Sequence, residues 1–388
     1  MSNTFLNRDQ VALAFRELYG GEPTFWGRAP GRVDLMGSHT DYNEGDVLTL
    51  TINRETWAAA RHNESGQIRL ASLNMDDTYT FDPNDPNADR LDGWAVYVQG
   101  VALTLRDSGY PVPGCDIVVY GTVPIGSGLS SSASLEAATA VVLEQLGGFK
   151  LDRLEMAKLC QRAENKIVGV QCGILDQYSS ILGGKGKALV LNCRETSHRY
   201  TEFPNTLRTV ICNTCAPRQL AGSEYGDRRR HCEEAATSLS MIDPSIRSLR
   251  DVSREFFVEH ESVLPDLVAK RARFIVEEHG RVTALAEALA NNDHPAIASI
   301  TKASYEGARD LFEISVPAMD AMFQAMSGGP GVVGARQTGA GFGGCMVAVV
   351  QADQVEDFSG SVASVYESAT GIMPEIYATH TAAGAEAM

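Results

Sequence analysis

The chain has 388 residues, of which 44% are hydrophobic, 7% aromatic and 21% charged. At roughly 150 residues per domain, this length points to about two domains around a sizeable core. The composition excludes a wholly disordered chain, a collagen-like repeat and a disulfide-held miniprotein. With 33 Lys and Arg against 49 Asp and Glu, the formal charge is −16; non-specific binding of DNA or RNA needs a basic footprint and is therefore not expected.

The opening MSNTFLNRDQVALAFREL has no basic segment followed by an apolar run, so no secretory signal is expected. No apolar stretch approaches the roughly 20 residues that cross a bilayer, and no membrane partner is expected. The eight scattered cysteines read as reduced thiols of a cytoplasmic chain. Cys212 and Cys215 form a C-x-x-C, but no second pair with zinc-finger spacing follows.

Residues 8–19 carry a helical apolar spacing that ends at Gly20 and Gly21. Short β-type runs follow to Phe81 (TFWGRA, VLTLTI, TWAAARH, QIRLAS, TYTF). FDPNDPNADRLDG is a turn-rich loop, after which Trp94, Val98, Val101, Ala102 and Leu105 recur at helical spacing. CDIVVY predicts a strand, GTVPIGSG a loop, and a small-residue helix starts near Ser130. Further helices are predicted over about 152–167 and from near Cys172. After KALVLNC and TLRTVICN the pattern is mostly helical from about 222 to 327. It closes with a strand, glycine turn and strand (GVVGARQTGAGFGGCMVAVV), a helix over about 352–369 and a strand near 374–380. Helices and strands interleave without regular βαβ alternation, which predicts an α+β protein. The boundary is expected around 195–208, dividing 1–200 from 201–388.

Three segments carry chemistry. In VVYGTVPIGSGLSSSAS a strand feeds a Gly-rich turn that opens into a helix. Backbone N–H groups there converge where the helix offers about half a positive charge, a ready anion site; an ordinary serine-capped helix fits the same residues. In APGRVDLMGSHTDYN, His39 and Asp41 are suited to gripping sugar hydroxyls, and a solvated turn is the other reading. In GAGFGG, from Gly339 to Gly344, the glycines read as a tight hairpin or as a side-chain-free surface against a ligand or the first glycine loop.

Together and in this order, these segments resemble the signatures of the GHMP small-molecule kinases, and most closely those of the galactokinase family. AENKIVGVQCGILDQYSSILG, AGSEYGDRRRHCEEA and DLFEISVPAMD agree as well, and the match runs from about 24 to 380. The resemblance implies a two-domain fold, a ribosomal S5 domain 2-like first half and a ferredoxin-like second half, with the active site in the cleft between them. It implies ATP and Mg2+ as cofactors, a small sugar as partner, and a monomer or weak homodimer. Asp176 matches the catalytic aspartate that takes or orients the proton of the anomeric hydroxyl, and Arg32 the arginine beside it. Ser38, His39, Asp41, Gly173 and Tyr225 match sugar-binding positions. Trp94 matches the adenine pocket, and Gly126, Ser127, Gly128, Leu129, Ser130, Ser131, Ser132 and Ala133 the nucleotide loop. Ser131 and Glu164 match the magnesium ligands.

Two positions depart from the family pattern. Asp34 stands where Asn is usual, and Ser38 stands where Glu is usual, at the end of the pocket that holds the sugar's exocyclic carbon. A lost carboxylate can change discrimination sharply. Two outcomes are open: a substrate such as galacturonate or L-arabinose, or a water that bridges Ser38 to galactose. Other GHMP substrates (mevalonate, homoserine, N-acetylgalactosamine) and a non-catalytic sugar sensor are the further alternatives. The intact Ser130-Ser131-Ser132-Ala133, Arg32 and Asp176 speak against the sensor.

Overall fold

A computed structural model describes residues 5–85, 89–170, 172–216 and 221–388. Residues 86–88, inside the turn-rich loop, and 171, inside AENKIVGVQCGILDQ, lie outside the described residues. Helix α1 (Arg8–Tyr19) starts at Asn7, whose side chain accepts from the Gln10 backbone, and ends at Gly20 in the left-handed conformation. Strands β1 (Phe25–Met36), β2 (Asp46–His62), β3 (Ile68–Ser72) and β4 (Asp77–Phe81) follow. Next come α2 (Ala95–Asp107), β5 (Cys115–Gly121), α3 (Ser131–Gly147), α4 (Arg153–Ala163), α5 (Leu175–Leu182), β6 (Lys187–Asn192) and β7 (Ser197–Glu202). The remainder is β8 (Leu207–Asn213), α6 (Ala221–Ser240), α7 (Arg254–His260), α8 (Asp266–Ala290), α9 (His294–Asp310), α10 (Pro317–Ser327), β9 (Val332–Gln337), β10 (Cys345–Gln351), α11 (Val355–Thr370), β11 (Glu375–Thr379) and β12 (Glu386–Ala387).

The first sheet runs β12-β1-β2-β5-β3-β4, with β6 on β2 and β7 on β6. Strand β2 is long enough to pair β6 through Asp46–Thr49 and β5 through Thr56–His62. The second sheet runs β11-β8-β10-β9 and is antiparallel throughout. The chain crosses from one sheet to the other between Glu202 and Leu207, and β12 returns to the first.

Apolar faces of α2, α3 and α4 (Val98, Val141, Leu143, Leu159) bury against the first sheet. A second cluster joins the sheets directly, with Val33 and Leu50 packed with Ile211, Val282 and Val347. Such shared burial fixes the walls of the cleft. Strand β1 shifts register between Pro30 and Arg32 and again between Asp34 and Met36. Bulges re-aim side chains, and these two flank the sugar-loop residues Arg32 and Asp34.

The expected helix near Cys172 begins later, at Leu175; Cys172 and Gly173 are irregular and line a cavity. The stretch after α4 winds as a π-turn over Glu164–Val168, a local widening that α-helical spacing does not announce. The two-residue β12 has no periodicity to detect. No helix among the described residues is long and apolar enough to cross a membrane.

Candidate active site

The phosphate-type loop sits between β5 and α3. Gly126 and Gly128 have φ of 71° and 84°, and Ser130, φ 61°, joins them in the left-handed region, which costs a residue with a Cβ. Ser130 makes no side-chain cap to α3, so the first N–H groups of that helix stay available for an anion. The Ser127 hydroxyl donates to the Pro124 carbonyl at 2.7 Å. Leu129 is buried and Ala133 fully so; they anchor the loop, and only their backbone can face a ligand.

Gly126, Ser131 and Ser132 border a cavity of 460 Å³ whose other walls include Thr56, Asn74, Met75, Trp94, Tyr97 and Leu135. The Trp94 ring is fixed by its Nε1–H, which donates to Asp77 Oδ1 at 2.6 Å, and by edge contact with Tyr79. A flat aromatic flank on a largely apolar pocket suits a planar base.

A second cavity, of 270 Å³, is lined by Arg32, Asp34, Ser38, His39, Asp41, Gly173, Asp176, Tyr225 and Gly339 among others. Asp176 lies in the first turn of α5, where a carboxylate is favoured. Arg32 donates to its Oδ1 from Nε at 2.8 Å and from Nη2 at 2.5 Å. Arg32 Nη1 reaches back to the Gly128 carbonyl at 2.8 Å. One guanidinium therefore ties the carboxylate to the phosphate-type loop.

Gly31 presses on that loop from β1: a Cβ there would stand 2.8 Å from the Leu129 carbonyl. The third glycine segment turns between the paired β9 and β10, and a Cβ on Gly339 would stand 3.7 Å from the Gly128 carbonyl. The GAGFGG segment is thus both the turn and the smooth surface against the first loop.

His39 is buried and in the left-handed region, φ 65°. Burial pushes its pKa down to about 4, so the ring is neutral; Nε2–H donates to the Ala340 carbonyl and Nδ1 accepts from the Tyr42 hydroxyl. Both nitrogens are thus engaged, and the ring braces the loop while it lines the second cavity. Asp41 is pushed up to about 6, first by burial and then by the nearby charges of Asp176 and Asp34. Its Oδ2 leaves no room for a side chain at Gly173, where a Cβ would approach to 2.6 Å. The Tyr225 ring lies tilted with its centroid 5.3 Å from that of His39 and lines the same cavity.

Ser38 Oγ donates to Asp34 Oδ2 at 2.8 Å and accepts from Arg336 Nη2 at 2.8 Å. Arg336 also donates to Glu278 at 3.1 Å, and all four side chains are buried. Near the nucleotide cavity, Gln177 Nε2 donates to Glu164 Oε2 at 2.5 Å and to Glu136 Oε2 at 3.0 Å. Burial raises both glutamates; the Glu164 charge raises Glu136 further, and the Asp176 charge raises Glu164. Ser132 hydrogen-bonds Glu164 as well.

Three family models match the chain: the GHMP kinases N terminal domain over 96–184, the galactokinase galactose-binding signature over 13–62, and the GHMP kinases C terminal over 285–368. A galactokinase of Roseiflexus sp. is 37% identical over 381 residues, covering 98% of this chain and 97% of its own. One from Chloroflexus aurantiacus is 39% identical over 358 residues, covering 92% of each. The crystal structure of Lactococcus lactis galactokinase complexed with galactose superposes with a TM-score of 0.90 at 32% identity, covering 97% of this chain and 98% of that one.

The chain belongs to the galactokinase family. It is a GHMP kinase, a phosphotransferase with the two-domain α+β fold of that superfamily. Against the galactokinase pattern, the structure brings Arg32, Asp34, Ser38, His39, Asp41, Gly173, Asp176 and Tyr225 to one cavity and Trp94, Gly126, Ser131 and Ser132 to the other. Sequence reasoning missed Glu136, Gln177, Glu278 and Arg336. Gln177 had a signal in its place directly after Asp176, and Arg336 in its place just before the third glycine segment; Glu136 and Glu278 sit in ordinary helical patterns.

Proposed function

We propose that this chain transfers the terminal phosphoryl group of ATP to the anomeric hydroxyl of galactose, giving galactose 1-phosphate and ADP. The observation that carries this reading is the Arg32 bridge between Asp176 and the Gly128 carbonyl, which sets a carboxylate base where a sugar cavity adjoins a phosphate-type loop. The galactose-complexed relative supports the choice of sugar.

In this reading the anomeric oxygen forms the new bond to phosphorus, the bond from phosphorus to the β,γ-bridging oxygen breaks, and Asp176 takes the hydroxyl proton. Phosphoryl transfer needs positioning and charge stabilisation above all. The loop amides from Gly126 to Ser132 and the free N-terminus of α3 hold phosphate oxygens, Trp94 flanks the base, and Asp41 accepts from sugar hydroxyls. Residues 1–200 supply the loops and the base; residues 201–388 supply Tyr225 and the third glycine segment.

The donor set fits magnesium. Glu164 offers a carboxylate and Ser131 and Ser132 offer hydroxyls, hard oxygen ligands of the kind that leave the rest of the shell to phosphate and water. Ser132, which contacts Glu164, joins Ser131 as the candidate hydroxyl. Bound there, the ion neutralises phosphate charge.

The test is ADP release with magnesium and ATP over galactose, galacturonate, L-arabinose, N-acetylgalactosamine, mevalonate and homoserine. Galactose is expected to be turned over with the highest kcat/KM. Turnover of none of them would favour the sensor, and preference for another acceptor would remove galactose as the substrate.

A further inference from the structure

Asp34 and Ser38, the two departures from the family pattern, are hydrogen-bonded to each other and line the same cavity. With serine at 38, Asp34 is the carboxylate at this corner. Ser38 Oγ spends its proton on Asp34 Oδ2 and one lone pair on Arg336 Nη2, each at 2.8 Å. It keeps one acceptor site and no donor for a ligand. Asp34 Oδ1 stands 3.6 Å from Arg336 Nη1, and its backbone N–H is anchored on Thr338 Oγ1 at 3.0 Å.

Arg336 is 1% exposed, and its Nε and Nη1 have no hydrogen-bond partner among the described residues. Glu278 is already shared with Gly37 N–H, Ser304 and Arg281. Without Asp34, Arg336 would keep Glu278 as its only carboxylate partner among the described residues, and weakening a buried ion pair is costly. The carboxylates facing this cavity are then Asp34, Asp41 and Asp176, of which only Asp176 has a cation lining the same cavity.

We propose that Asp34 and Ser38 form the specificity-determining pair of the sugar site: a carboxylate relocated by four residues, held by Arg336, that accepts from a neutral sugar hydroxyl and repels a carboxylate substituent. This rests on the sugar-kinase reading above. It makes galactose the substrate and galacturonate an excluded relative, despite the serine at 38.

The experiment compares the wild-type chain with Asp34→Asn, Ser38→Glu and the double variant, reading kcat/KM for galactose and galacturonate, galactose Kd without nucleotide, and melting temperature. In the wild type, galactose is expected to lead by about a hundredfold or more. Asp34→Asn is expected to cut that ratio by about tenfold or more and to weaken galactose binding. Ser38→Glu, which crowds two carboxylates, is expected to lower the melting temperature. The double variant, with one carboxylate moved back to 38, is expected to recover most of both losses, so that the single effects do not add.

If Asp34→Asn does not fold, recovery of folding and of the ratio in the double variant supports the pair, and a double variant as poor as the single one overturns it. A ratio unmoved in a well-folded Asp34→Asn also overturns it. Wild-type turnover of neither sugar overturns the kinase reading and the pair with it; galactose turnover with an unmoved ratio overturns the pair alone.

Discussion

Arg32 places two nitrogens on one oxygen of Asp176, Nε at 2.8 Å and Nη2 at 2.5 Å from Oδ1. That geometry engages Oδ1 and leaves Oδ2 clear of Arg32. It also means the two residues cannot be perturbed independently. Arg32 is 5% exposed, so Asp176→Ala strips a buried cation of its carboxylate and costs stability as well as turnover. Asp176→Asn keeps an acceptor for Arg32 and removes the base. Its kcat is expected to fall by about 10²–10⁴-fold, with a melting temperature close to wild type. Steady-state kinetics and a thermal melt on the same preparation check this; a kcat within threefold of wild type would show that Asp176 is not the base.

The contact between Asp41 and Gly173 predicts a steric effect on sugar binding. A Cβ at 173 meets Asp41 Oδ2 at 2.6 Å, so Gly173→Ala displaces the carboxylate. The expected loss in kcat/KM for galactose is about tenfold, or 1.4 kcal/mol, while KM for ATP stays put. Equal losses for both substrates would point to general unfolding of the loop instead.

Asp41 also predicts a pH dependence. Its folded pKa, raised to about 6 by burial and by Asp176 and Asp34, lies above the ordinary carboxylate value, so Asp41 gains its proton as pH falls through 6. A protonated Asp41 loses acceptor capacity. Galactose kcat/KM is therefore expected to hold on the alkaline side and to decline below about pH 6. A profile flat down to pH 5 would show that the ionised form is not needed.

Gln177 ties together Glu136 on α3, Glu164 beyond α4 and the catalytic helix α5. Gln177→Leu leaves two buried carboxylates without their shared donor, at a cost of about 1–3 kcal/mol. The expected result is a lower melting temperature and weaker binding of Mn2+ with nucleotide, measured by calorimetry, with galactose Kd unchanged. An unchanged metal–nucleotide affinity would limit Gln177 to a role in stability.

Trp94 lines the nucleotide cavity with its ring pinned by Asp77. Trp94→Ala is expected to raise KM for ATP by about tenfold and to leave KM for galactose alone. A larger effect on the sugar would contradict the division into two cavities.

Much of this arrangement was legible in the chain. The Gly- and Ser-rich loop after CDIVVY marked a strand-to-helix turn near Ser130, one residue before α3 begins, and the APGRVDLMGSHTDYN segment concentrated polar residues that fit a site as well as a solvated turn. Register and distance were not legible. The bulges that aim Arg32 and Asp34 depend on how β1 pairs β2, and the Arg336–Glu278 support for Ser38 joins residues 298 and 58 positions apart. His39 shows the same gap: the chain placed it in a polar loop, and only the positions of Tyr42 and Ala340 show which partners its ring nitrogens take.

The central claim is that the anomeric oxygen, deprotonated at Asp176, attacks the terminal phosphorus. Galactose labelled with ¹⁸O at C1 tests it directly, with the product read by ³¹P NMR. The account predicts galactose 1-phosphate with the label kept in the bridge between carbon and phosphorus, and no such product from Asp176→Asn on the same timescale. Phosphate on any other oxygen, or loss of the label from the bridge, would contradict it.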